Sequence, residues 1–190
     1  MTPADRGGRR LVSVTTHLDQ DGKAADLLAR LPGRGDPAAD LLGHLPAVGG
    51  IAWVRHGEGF AGFGQVLRID AGTGPDRFAR AAAELRALFG PADVVDEVGG
   101  WGTGPIAFGS FTFDPDSGGS QLVIPAAIVG RSGNRAWLTR VGWDRAPGVD
   151  ETLVTAGSAG AAPDPPLSST QALSADSFRR AVATAKAAIG

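Results

Sequence analysis

Cysteine is absent from the 190 residues, which excludes disulfide frameworks, thiolate zinc sites, Fe–S clusters and thiol nucleophiles. Lysine is scarce as well. Lys23 and Lys186 are the only two, so nearly all of the 18 basic residues are arginine and a lysine general base has few places to be. No run approaches the roughly 18 apolar residues that a membrane-spanning helix needs. The opening Met1-Thr2-Pro3-Ala4-Asp5-Arg6 lacks the apolar core of a signal peptide. Excess charge of either sign is missing too. A formal net charge of −2 argues against nucleic acid or an anionic membrane as the main partner. The expectation is a soluble cytoplasmic protein.

What is present is an ordinary globular composition, with 43% hydrophobic and 20% charged residues. With 29 glycines and 13 prolines it is rich in loops. Leu11–Thr15 reads as a short strand, and Ala25–Leu31 and Ala38–Leu45 as brief helices or irregular turns. Ile51–Arg55 reads as a strand, a turn at Gly57-Glu58-Gly59 follows, and Phe60–Ile69 forms a second strand with Ala61, Phe63, Leu67 and Ile69 on one face. Pro75 and Asp76 open a helix to Phe89, with an apolar stripe of Phe78, Ala82, Leu85 and Phe89, closed by Gly90-Pro91.

From Pro105 a β-meander is expected. Its strands are Ile106–Phe113, Gln121–Val129 and Arg135–Trp143, and Pro125 implies an edge or a bulge in the second. Trp137, Thr139, Val141 and Trp143 share a face. Residues 144–170 lose periodicity and read as a linker or exposed loop. Ser174 can cap a final helix with Asp176 in its first turn and a stripe of Phe178, Val182, Ala185 and Ile189. The division is an α+β part over 1–143, a linker over 144–170 and a terminal helix over 171–190. The fold class is α+β, mostly antiparallel sheet with flanking helices.

No convergent catalytic set is visible. Gly57-Glu58-Gly59-Phe60-Ala61-Gly62 matches G-x-G-x-x-G, but a strand follows where a dinucleotide site needs a helix. Gly99–Gly104 lacks the Gly-Lys-Ser/Thr ending of a phosphate loop. Asp114, Asp116 and Gly119 fit three positions of a calcium loop, yet its bidentate glutamate position is Pro125. His17, His44 and His56 have no ligand spacing. Gly157-Ser158-Ala159-Gly160 misses the nucleophile elbow by one position. Lys186 reads as a surface charge. Trp53, Trp101, Trp137 and Trp143 could wall a ligand, or pack at core and edge.

Several segments occur in a familiar order: Trp53-Val54-Arg55 with Gly57-Glu58-Gly59, the block from Gly102 to Asp114, Leu122-Val123-Ile124-Pro125, and Ala136-Trp137-Leu138-Thr139. They resemble the amino-terminal part of actinobacterial isochorismate synthases, members of the chorismate-utilising enzymes. The resemblance spans roughly Leu11 to Gly190. It implies one half of a larger α/β/β/α sandwich. It also implies an isomerase that converts chorismate to isochorismate for menaquinone or siderophore synthesis. In that family a lysine activates water, a glutamate protonates the leaving hydroxyl and Mg2+ held by glutamates clamps the substrate carboxylate.

The motifs carrying those roles belong to the family's carboxy-terminal half, and none matches this sequence, Lys23 and Lys186 included. No catalytic, substrate-binding or metal residue is therefore assigned. The expectation is a fragment, inactive alone, that depends on a carboxy-terminal half in trans or self-associates through uncovered sheet surface. The alternatives are a stand-alone, non-catalytic ligand-binding or regulatory domain, and a scaffold without a ligand.

Overall fold

The computed structural model describes residues 8–18, 50–148, 151 and 175–189. The chain is α+β, with nine described strands in two sheets and two described helices. The expected helices at Ala25–Leu31 and Ala38–Leu45 lie outside the described residues, as do Lys23, His44, Ser174 and most of 144–170.

The larger sheet runs β2-β3-β8-β9-β1-β5. Its strands are β1 (Leu11–His17), β2 (Ile51–Arg55), β3 (Glu58–Phe63), β5 (Asp93–Asp96), β8 (Ala127–Ser132) and β9 (Arg135–Trp143). Every neighbouring pair is antiparallel except β1 and β5, which are parallel. The smaller sheet is β4 (Leu67–Asp70), β7 (Gln121–Ile124) and β6 (Phe108–Ser110), antiparallel throughout.

Two expected strands turn out to be strand pairs divided between the sheets. Phe60–Ile69 splits into β3 and β4, and Gln121–Val129 into β7 and β8. Because β3 pairs with β8 and β4 with β7, the two segments form one antiparallel ribbon that bends in the middle. The ladder continues through the bend: Val66 N–H donates to Ile124 O at 2.8 Å and Ala126 N–H to Phe63 O at 3.0 Å. Gly64 turns one segment with φ of 61°, and Pro125, buried and lacking an N–H, turns the other. Pro125 therefore marks a corner between sheets, a stronger version of the bulge that it suggested.

Other boundaries shift for local reasons. The β2–β3 turn falls on His56-Gly57, at φ of 54° and 80°, which is the two-residue geometry that matches strand twist. Glu58 and Gly59, expected in the turn, belong to β3. Ile106–Phe113 contributes only the three residues of β6, and β5, short and exposed, carries no alternating signal.

Helix α1 (Arg77–Phe89) forms as expected, but its inward stripe is set one residue earlier. Arg77, Ala81 and Leu88 are buried, while Phe78 is 53% exposed and stacks on Phe111 at 4.4 Å. The cause is the Arg77 side chain, which reaches inward to donate to Gly74 O and Thr112 O, both at 3.1 Å. Gly90 stays right-handed at φ of −57°, so Pro91 and not a left-handed glycine ends the helix. Helix α2 (Ala175–Ile189) matches the expected terminal helix, and its Asp176 accepts from Arg179 at 3.2 Å.

One core joins the inner faces of both sheets to α1. Leu11, Phe60, Ile128 and Trp137 come from the larger sheet, Leu67, Ile69, Leu122 and Ile124 from the smaller, and Ala81 and Leu88 from the helix. At the bend Gly62 is buried, and a Cβ there would lie 2.6 Å from Pro125 Cγ. Gly62→Val is expected to cost about 2–3 kcal/mol by overpacking. Gly118→Ala, with nothing within 4 Å of its Cβ position, is expected to stay within about 0.5 kcal/mol. Chemical denaturation of both variants checks the difference.

Candidate functional site

The larger sheet carries a row of aromatic side chains across its inner face. Cross-strand register sets it. Trp53 faces Phe60, Phe60 faces Gly130, Gly130 faces Trp137, and Trp137 faces His17. Paired residues point to the same side of a sheet, so these side chains share one surface. The Trp53 and Phe60 rings stack at 6.1 Å, and Phe60 meets Trp137 at 6.3 Å. Gly130 is required under this row, because a Cβ there would fall within the Trp137 indole.

A glycine-rich loop, residues 97–104, closes over the row. Gly102, at φ of 81°, sits against the Phe60 ring and leaves no room for a Cβ. Trp101 extends beside Trp53, with ring centroids 5.8 Å apart and planes at 62°, and lies 4.9 Å from Phe60. The result is an inside corner of two indoles supported from below by two buried rings. Trp53 and Trp101 remain 50% and 59% exposed, while Trp137 is 1% exposed.

Two polar anchors hold the loop. Thr15 and Thr139, both fully buried on adjacent strands, share a hydrogen bond of 2.8 Å, and Gly104 N–H donates to Thr15 Oγ at 3.1 Å. At the other end, Asp96 accepts from the N–H groups of Val98 and Gly99, each at 3.0 Å, and from the Thr103 hydroxyl. Desolvation by itself raises the Asp96 pKa. Donation by Thr103, Gly99 and Val98, with the His17 charge nearby, outweighs that and holds the carboxyl below the ordinary value of 3.8.

The sequence-nominated residues distribute unevenly about this corner. Trp53, Trp101 and Trp137 converge there, and the fourth tryptophan does not. Trp143 lies further along β9, beneath the Arg9 guanidinium at 5.7 Å, and helps line an open groove of about 390 Å³ with Val66, Arg145 and Glu151. His56 occupies the β2–β3 turn, and His17 ends β1. Asp114 caps its own turn: its carboxylate accepts from Ser117 Oγ at 2.8 Å and Asp116 N–H at 3.1 Å, which lowers its pKa. Among the described residues, no three histidine or acidic side chains gather in a way that could hold a metal ion. No described helix is long and apolar enough to cross a membrane.

Residue chemistry did not single out Thr15, Thr139, Asp96 or Gly130. A β-branched hydroxyl in an apolar strand looks like any strand residue until its cross-strand partner is known. The signal that existed was the glycine density of 99–104, which reflects close backbone approach to aromatic rings.

Comparison with protein-family models, with curated proteins and with solved structures returns no match to this chain.

Thr15→Val removes the acceptor of Gly104 N–H and strands the Thr139 hydroxyl, for an expected cost of about 1–3 kcal/mol, whereas Thr15→Ser keeps most of the stability. Equilibrium unfolding distinguishes the two. Asp96 has a lowered folded-state pKa, so its contribution is complete above the ordinary value of 3.8 and is lost as pH falls through the lower, folded value. Asp96→Asn is expected to remove that part of the acid dependence, measured as the difference between the two proteins' melting temperatures across pH 2–6.

Proposed function

We propose that this chain supplies the amino-terminal part of an isochorismate synthase-like enzyme. The reading rests on the ordered segments that resemble that family, and one spatial observation supports it. Those segments, scattered over nearly ninety positions of sequence, are contiguous in the fold. The first forms the β2–β3 hairpin, with Gly59 in β3. The block from Gly102 to Asp114 begins against Phe60 and Trp137. It then donates from Gly104 N–H to Thr15 and pairs Phe108 with Val123, before Thr112 O accepts from Arg77 on α1. Leu122–Pro125 enters the bend against Gly62, and Ala136–Thr139 lies in β9 beside β8. A set of residues held together in this way acts as one structural unit, which is the form a shared fold would take.

In this reading the chain's role is architectural. The strap from Gly102 to Asp114 ties both sheets to α1, and a carboxy-terminal half provides the base, the acid and the metal ligands. The motifs that carry the lysine and glutamate roles in that family have no match in this sequence. The chain alone is therefore proposed to be inactive, and the completed enzyme to work in the cytoplasm on chorismate.

The test mixes the purified chain with chorismate and Mg2+, alone and together with the separately expressed carboxy-terminal half of an actinobacterial isochorismate synthase. The expected result is no turnover by the chain alone, co-elution of the two halves, and isochorismate formation by the mixture. Turnover by the chain alone would sink the proposed division of labour. Failure of the halves to associate would sink the family reading.

A further inference from the structure

The indole corner combines features that packing alone does not need. A tryptophan that serves as a core lid gains most by covering its neighbours fully, yet Trp53 and Trp101 each keep about half of their surface in solvent. The backbone around both is anchored. Trp53 is fixed by its strand pairing with Phe60, and Trp101 by flanking glycines at φ of 121° and 81° and by the Thr15 and Asp96 anchors. Two half-exposed indoles whose planes meet at 62° offer a planar ring aromatic surface to stack on or to meet edge-on.

The charged groups around the corner are sorted in a consistent way. Arg55 is two residues along β2 from Trp53, and Arg135 two residues along β9 from Trp137, so both guanidinium groups belong to the same face of the sheet as the rings. Arg135 donates to Gly99 O at 3.3 Å, and a Cβ on Gly100 would lie 3.6 Å from both of its terminal nitrogens. That places its charge against the backbone that carries Trp101. Two acids nearby are held by hydrogen-bond donors: Glu58, opposite Arg55 in register, accepts from Gly133 N–H at 2.8 Å, and Asp96 accepts from Val98, Gly99 and Thr103. The Arg55 and Arg135 guanidinium groups thus lie on the face that carries the aromatic ledge.

We propose that the Trp53–Trp101 corner, with Arg55 and Arg135 beside it, is a binding site for a small planar carboxylate, an aromatic or conjugated acid. The ring stacks on one indole with its edge toward the other, and the carboxylate accepts from a guanidinium. Arginine suits this role because its fork matches a carboxylate, and its remaining donors stay available after the bond to Gly99 O. The site is shallow and open, so the expected affinity is weak, with a dissociation constant on the order of 1 mM. It stands apart from the family reading above, since the corner is complete within the described residues.

The test titrates 15N-labelled protein with benzoate and follows the tryptophan indole N–H resonances. Benzamide serves as the neutral control and cyclohexanecarboxylate as the non-planar one. Benzoate is expected to shift Trp53 and Trp101 saturably, several-fold more tightly than either control, while Trp143 stays as an unmoved internal reference. Arg135→Gln is expected to weaken benzoate roughly fivefold toward the benzamide level. Trp101→Leu is expected to abolish saturation while the other indole resonances stay dispersed, and Trp101→Phe to retain part of it. Equal response to benzoate and benzamide would overturn the proposal. So would equal movement of Trp143, or saturation that survives both Arg135→Gln and Trp101→Leu.

Discussion

Both sheets depend on the ladder between the β3–β4 segment and the β7–β8 segment. Its hydrogen bonds lie on both sides of the bend, from Asp70 opposite Gln121 to Gly59 opposite Arg131. A ribbon that changes direction midway must keep its backbone groups satisfied while bringing two inner faces toward each other. Gly64 supplies the positive φ and Pro125 omits a donor where the ladder turns, while Gly62 lets the proline ring approach. The common core follows from that corner, because Phe60 and Ile128 on one arm then meet the same interior as Leu67 and Ile124 on the other.

The second organising element is the strap between β5 and β7. It crosses the larger sheet, pairs briefly in the smaller one and ends against α1, so each part of the fold has a contact through it. Its anchors are polar and few. The buried Thr15–Thr139 pair is satisfied only because each hydroxyl has the other, and Gly104 adds a donor at the same point. Buried hydroxyls with fixed partners specify register more sharply than apolar packing does, since a slip would leave them unpaired. Arg77 plays a similar part at the far end, joining the turns on either side of α1 through two carbonyl oxygens.

These constraints also explain how the indole corner comes to be open. Glycine at 102 brings the loop onto Phe60, and once the backbone is that close, Trp101 has no interior left to enter. The same closeness fixes its orientation relative to Trp53. A rigid, partly solvated aromatic surface is thus a direct outcome of backbone packing, and the arginines at the hairpin ends set its electrostatic character.

The α+β class, the β2–β3 hairpin, α1, β9 and the terminal helix were legible in the sequence, because hydrophobic periodicity and turn residues act locally. The amphipathic phase of α1 was not: Phe78 is the stronger apolar residue, but Arg77 found two carbonyl acceptors inside, which no helical wheel contains. Nor was the split of two long strands, since a residue alternates faces identically whether its strand stays in one sheet or bends into another. The convergence of Trp53, Trp101 and Trp137 on one spot belongs to tertiary structure for the same reason. Sequence determined that the chain would be rich in glycine, free of thiol chemistry and poor in lysine. Only the fold decided which glycines bear rings, because a close approach is a property of two segments and neither one encodes it alone.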